Sequence, residues 1–194
     1  AHWRIVSPES HLMDLDTADG YIAQVWTGTS RTPNMYQGKL KERTFETAFL
    51  EYGQMLAMVR PTGRTVWFLA DPIEDNPNRS WNDYRYNYEC TVLASLFWPE
   101  VHRYEVMPWP NRIFKGTYPK VDLDTKTGDR VGIPADYATE VLTIINALNE
   151  MNQEDVEYDM GTRGIGVLVS DTMMLQRADP YRSNPHLGSS YALA

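Results

Sequence analysis

Thr65-Val66-Trp67-Phe68-Leu69-Ala70-Asp71-Pro72 decides how the rest of the chain is read. Six mostly apolar residues stop at an acid and a proline, the pattern of a short strand that runs into a turn. Upstream, Phe45, Ala48, Phe49, Tyr52, Leu56 and Val59 fall on one helical face, and Pro61 and Gly63 end that helix just before the strand. Downstream, Ser80 is placed to cap a second helix with Asp83 in its first turn. Tyr84, Tyr88, Val92, Leu93 and Leu96 form the stripe that this helix is expected to bury, and Pro99 closes it. Trp67, in mid-strand, is assigned to the core.

The same alternation continues in both directions. Trp3-Arg4-Ile5-Val6, Tyr21-Ile22-Ala23-Gln24-Val25-Trp26, His102-Arg103-Tyr104-Glu105-Val106-Met107 and Ile165-Gly166-Val167-Leu168-Val169 all read as short strands. A third helix opens near Pro134 and aligns Tyr137, Val141, Ile144, Leu148 and Met151, and residues 10–18 hold a short helix. Strand and helix in turn indicate an α/β fold around a parallel sheet. No glycine-rich turn follows the first strand, so a dinucleotide-binding sheet loses its main support. The loops after the strands carry Pro, Trp, Asp and Glu instead, where barrel enzymes place their chemistry. We therefore expect a partial (β/α)8 barrel of the TIM type with parallel strands over residues 1–160. Residues 161–194 supply the last barrel strand or the first strand of a following α/β domain. A complete barrel takes ~250 residues, and this chain has 194 with an initial Ala, so a larger parent is expected.

Composition narrows the function. With 18 Lys+Arg against 26 Asp+Glu and a net charge of -8, the surface repels phosphate backbones, and nucleic acid is not an expected partner. No apolar run approaches the ~20 residues of a membrane helix, and no signal peptide or lipidation motif is seen, so a soluble, cytoplasmic protein is expected. Cys90 is the single cysteine, set mid-helix beside the apolar stripe, and is expected to be buried and inert. His2, His11, His102 and His186 lack metal-ligand spacing, so neither a metal nor a cofactor is expected. Asp122, Asp124 and Asp129 lack the glycine and glutamate positions of a calcium loop and read as a solvated hairpin or linker.

The candidate site residues are acids and aromatics at strand ends: Glu9, Asp71, Glu105, Trp26, Trp109 and Tyr104. In a parallel barrel these ends share one rim, so residues far apart in sequence converge. Hydrolysis of a glycosidic bond needs two carboxyl groups, one to donate a proton and, in retaining enzymes, one to attack from ~5 to 5.5 Å away. Each residue also has a structural explanation. Glu105 could be held by Arg103 or a neighbouring arginine in an ion pair, Glu9 could cap the segment that follows it, and Asp71-Pro72 is a common turn opener. Asp171, after another strand end, is a further acid of this kind, whereas Glu74 and Asp75 read as solvated. Trp26 and Trp109 divide between core cover and sugar platform.

Taken together, these residues resemble the catalytic barrel of clan-A glycoside hydrolases, with family-42-like β-galactosidases as the nearest comparison. The resemblance implies that Ser7-Pro8-Glu9-Ser10 ends barrel strand four with the acid/base glutamate, and that Tyr104-Glu105-Val106-Met107 ends strand seven with the nucleophile. Residues 21–26 and 65–70 then supply strands five and six, the right number between them. The clan usually has Asn directly before its acid/base glutamate, and this chain has Pro8. The expected function is thus a retaining glycoside hydrolase, or a fragment of one whose activity alone is in question, acting on a carbohydrate through Glu105 and Glu9. Asp71, Trp26, Trp109 and Tyr104 would contact substrate. The alternative is a non-catalytic carbohydrate-binding or scaffold domain on a decayed barrel. An enzyme acting on phosphorylated small molecules lacks a phosphate loop. Open sheet edges would favour self-association.

Overall fold

The computed structural model describes residues 12–25, 31, 33–72, 78–106, 110–121 and 129–150. The strands expected at residues 3–6 and 165–169, and the boundary between residues 160 and 161, lie outside these. The described chain is mixed α/β. Its main sheet has three parallel strands in the order β1 (Gly20–Gln24), β4 (Thr65–Ala70) and β5 (Tyr104–Val106). Chain order and spatial order agree. Helix α1 (Thr44–Val59) joins the first two of these strands, and α2 (Trp81–Ser95) joins the second to the third.

The expected β4 and α1 match the observed bounds closely, and residues 12–14 form one short 3-10 turn in place of the helix expected over 10–18. After α1 a 3-10 turn, Arg60–Thr62, leads to Gly63, whose φ of 66° is a left-handed conformation that glycine adopts without steric cost. Ser80 caps α2 as anticipated, its hydroxyl accepting a hydrogen bond from the Asp83 amide at 3.4 Å. Helix α4 (Ala135–Asn149) begins immediately after Pro134 and buries Tyr137, Val141 and Leu148. The β1–α1 connection carries a hairpin that periodicity alone does not reveal, β2 (Asn34–Tyr36) against β3 (Lys39–Lys41). Gln37 and Gly38, both at positive φ, make its two-residue turn.

The helices lie on one face of the sheet. Ala23, Val66 and Phe68 pack with Val25, just beyond β1, against Ala48, Tyr52, Leu56 and Val59 of α1, with Ala94 of α2 in the same cluster. Ala70 continues this face into a second cluster with Trp81, Tyr84 and Tyr88 of α2 and Tyr137, Val141 and Leu148 of α4. Between α1 and α2, the Trp98 indole stacks on Phe49 at 4.7 Å and donates its ring N–H to the Phe49 carbonyl at 2.9 Å. A Cβ at Gly53 would lie 2.6 Å from that ring, which explains a glycine in mid-helix.

Three expectations about burial need correction. Trp67 is 46% exposed, because alternation along β4 sends Val66, Phe68 and Ala70 to the helices and Trp67 to the opposite face. Leu93 and Leu96 are also exposed, at 50% and 46%. The buried face of α2 runs instead through Tyr84, Asn87, Tyr88, Thr91, Val92 and Ser95, and it is partly polar. Cys90 is half-buried rather than buried, and its thiol is pushed up, mainly by that burial. None of the described helices is long and apolar enough to cross a membrane.

Two tyrosine hydroxyls in this layer, on Tyr52 and Tyr88, are buried and make no well-formed hydrogen bond with a described residue, although Ser95 lies near the Tyr52 hydroxyl. Burial holds the Tyr52 phenol well above its ordinary value, so it stays neutral. An orphan buried hydroxyl costs stability, whereas an apolar replacement of the same shape does not. Tyr52→Phe is therefore expected to be neutral or to stabilise by about 1 kcal/mol in urea unfolding. Tyr104→Phe, which loses contacts with Ser95 Oγ at 2.9 Å and the Val101 carbonyl at 3.1 Å, should destabilise. A clear loss of stability in Tyr52→Phe would show that its hydroxyl has a partner.

Candidate active site

The carboxyl ends of β1, β4 and β5 form one rim, and register places the last residue of β1 level with the next-to-last residues of β4 and β5. Gln24 is opposite Leu69, and Leu69 is opposite Glu105. Parallel partners project to the same face. Gln24, Leu69 and Glu105 therefore share the face opposite the helices, with Ile22 and Trp67 one level below. Glu105 is exposed there, and it makes no ion pair or hydrogen bond with any described residue. The structural explanation considered for it, a bond to Arg103 or another arginine, is not found among the described residues.

Tyr104 adjoins Glu105 in sequence but goes to the helix face, where its hydroxyl meets Ser95 Oγ and donates to the Val101 carbonyl. Burial pushes this phenol up. The sheet thus does not bring Tyr104 and Glu105 together on one face. Asp71, the residue after β4, is 3% exposed and accepts a hydrogen bond from Arg112 Nη1 at 3.4 Å. Arg112 belongs to α3 (Pro110–Phe114), the helix that follows β5. The phenol of Tyr88 stays neutral, chiefly through burial and also through the Asp71 charge. Glu9, Trp26 and Trp109 lie outside the described residues.

A second charged group occupies the same end of the sheet. Arg31, from the β1–α1 connection, is 4% exposed and grips both oxygens of Asp83 in the first turn of α2. Its Nη2 also reaches Glu42 at 3.2 Å, and Arg79 closes the group with Glu42 at 3.3 Å and Asp83 at 3.8 Å. Sequence reasoning assigned Asp83 only to the helix dipole. The pairing with Arg31 spans 52 residues and had no local signature. No group of His, Cys, Asp and Glu among the described residues has the makings of a metal site. Chemically, the described residues at this end of the sheet offer the exposed carboxylate of Glu105 and the ion-paired acids Asp71 and Asp83. Family models, curated proteins and solved structures give no match to this chain.

Proposed function

We propose that the chain is a retaining glycoside hydrolase, or a piece of one, built on part of a (β/α)8 barrel. One observation carries this reading: Glu105 is next to last in a parallel strand, on the face turned away from the helices, exposed and unneutralised by any described residue. In a closed barrel that face is the interior, and its carboxyl rim is where barrel enzymes work. The strand order β1-β4-β5, with α1, α2 and α4 on one side, suits barrel strands five, six and seven. Glu105 would attack the anomeric carbon as the glycosidic C–O bond breaks, while Glu9 delivers its proton to the leaving oxygen. Water, deprotonated by Glu9, would then displace Glu105 and restore both residues.

The test is covalent trapping. An activated 2-deoxy-2-fluoro glycoside forms the ester intermediate but hydrolyses it slowly, so peptide mass spectrometry should find one sugar on Glu105. A label on Asp71 or elsewhere overturns the nucleophile assignment. Absence of both label and turnover across a panel of aryl glycosides overturns the enzyme reading. The second reading, carbohydrate binding without turnover, draws support from Trp67. Its exposed indole shares the sheet face of Glu105, where it could stack on the C–H face of a sugar. Saturable sugar binding that is lost in Trp67→Ala, with no hydrolysis, would favour it.

A further inference from the structure

We infer that Asp71 and Arg112 form a latch across the exits of β4 and β5, and that Asp71 is a positioning residue for Glu105 rather than a sugar ligand. The kinetic consequence rests on the glycosidase reading above, and the structural one does not. Ala70 and Val106 are register partners at the last rung of the two strands. Asp71 comes one residue after that rung and Arg112 six residues after it, so their hydrogen bond ties the exit of β4 to the helix that follows β5. Glu105 is the penultimate residue of β5 and sits one residue before that rung.

Burial and two further contacts make the latch a fixed structure. The Asp71 side chain is only 4% exposed, so its bond to Arg112, itself 25% exposed, is screened from water. Ile113, next to Arg112, is 1% exposed and packs into the cluster of Ala70, Tyr84, Tyr88 and Tyr137, which seats α3 against the helix side. The Tyr137 hydroxyl of α4 donates to the Pro72 carbonyl at 3.3 Å, which ties down the residue after Asp71. Glu105 makes no bond of its own to a described residue, so its orientation follows from the backbone on either side. A carboxylate buried against an arginine is poorly placed to greet a sugar. It is well placed to hold the strand that carries the nucleophile.

The test compares the wild type with Asp71→Asn, Arg112→Met and the double variant, and adds Arg112→Lys as the conservative change. The reporter of the latch is hydrogen exchange of the Lys115 amide, which donates to the Asn111 carbonyl at 3.1 Å and closes α3. Its exchange is expected to quicken roughly tenfold in either single variant relative to amides of α1. The double variant should lose less protection than the sum of the two single losses, because the substitutions break a shared bond. On an aryl glycoside, kcat should fall about tenfold or more while KM stays within about twofold. Arg112→Lys should recover part of the loss. Unchanged exchange at Lys115 overturns the latch. A raised KM at constant kcat in Asp71→Asn would make Asp71 a substrate ligand and also overturn it. Quickened exchange in the single variants, with a wild type that hydrolyses no glycoside, would uphold the latch and reject the glycosidase reading alone. Arg112→Met removes only a partly exposed side chain and supplies the comparison if Asp71→Asn does not fold.

Discussion

Arg31→Met is expected to lower the unfolding free energy by about 3 kcal/mol, the low end of the range for breaking a buried ion pair. Arg31 is 4% exposed and binds both oxygens of Asp83, so its loss strands a carboxylate whose side chain is 14% exposed. Glu42 loses a partner at the same time, and the two acids then repel each other. Arg79 already touches both, at 3.3 and 3.8 Å, and limits the damage, which is why the low end is chosen. Asp83→Asn should cost less, since the amide still accepts from the guanidinium. A double replacement of Arg31 and Asp83 by apolar residues of similar size should recover much of the single-variant loss, because neither charge remains uncompensated. Urea denaturation monitored by tryptophan fluorescence measures all three. A change below about 1 kcal/mol in Arg31→Met would place this pair with ordinary surface salt bridges.

What the chain discloses before folding follows the same division between local and distant contacts. The α1 stripe of Ala48, Tyr52, Leu56 and Val59 is buried as its spacing predicts, because the helical period alone sets which residues share a face. Ser80 was legible as a cap for the same reason, since it acts on an amide three residues away. Trp67 was not. A strand whose residues are apolar on both faces, as in Val66-Trp67-Phe68-Leu69, shows alternation in space without marking which face is covered. Leu93 and Leu96 misled for a related reason. The interior between α1 and α2 is partly polar, with the Thr44 and Asn87 side chains bonded to each other, so hydrophobicity does not identify the buried side of α2. Arg31 and Arg112 needed pairings over 52 and 41 residues, which no window of sequence contains. Glu105 was legible as an exposed acid and a candidate for the site. An acid within an apolar strand end must either be neutralised or face solvent, and the structure shows it exposed.

Glu105→Gln separates catalysis from folding. The substitution keeps the shape of an exposed side chain that bonds to no described residue, so stability should change by no more than about 0.5 kcal/mol. Under the proposed mechanism it removes the only group that can form the covalent intermediate. An amide oxygen is a poor nucleophile at the anomeric carbon. Turnover of an aryl glycoside should therefore fall by roughly 10⁴-fold or more, the scale seen when a covalent nucleophile is removed. KM should not rise in proportion, since the substrate still fits the rim. Glu105→Asp keeps the charge but withdraws the carboxylate by one methylene, and a displacement of that size should cost about 10²-fold. The order wild type, Asp, Gln in turnover, at constant stability, is the signature of an attacking carboxylate. If Gln and Asp lose activity equally and the protein melts earlier in both, Glu105 holds the strand end together and the nucleophile lies elsewhere. If neither loses activity, the carboxylate at the end of β5 takes no part in the reaction.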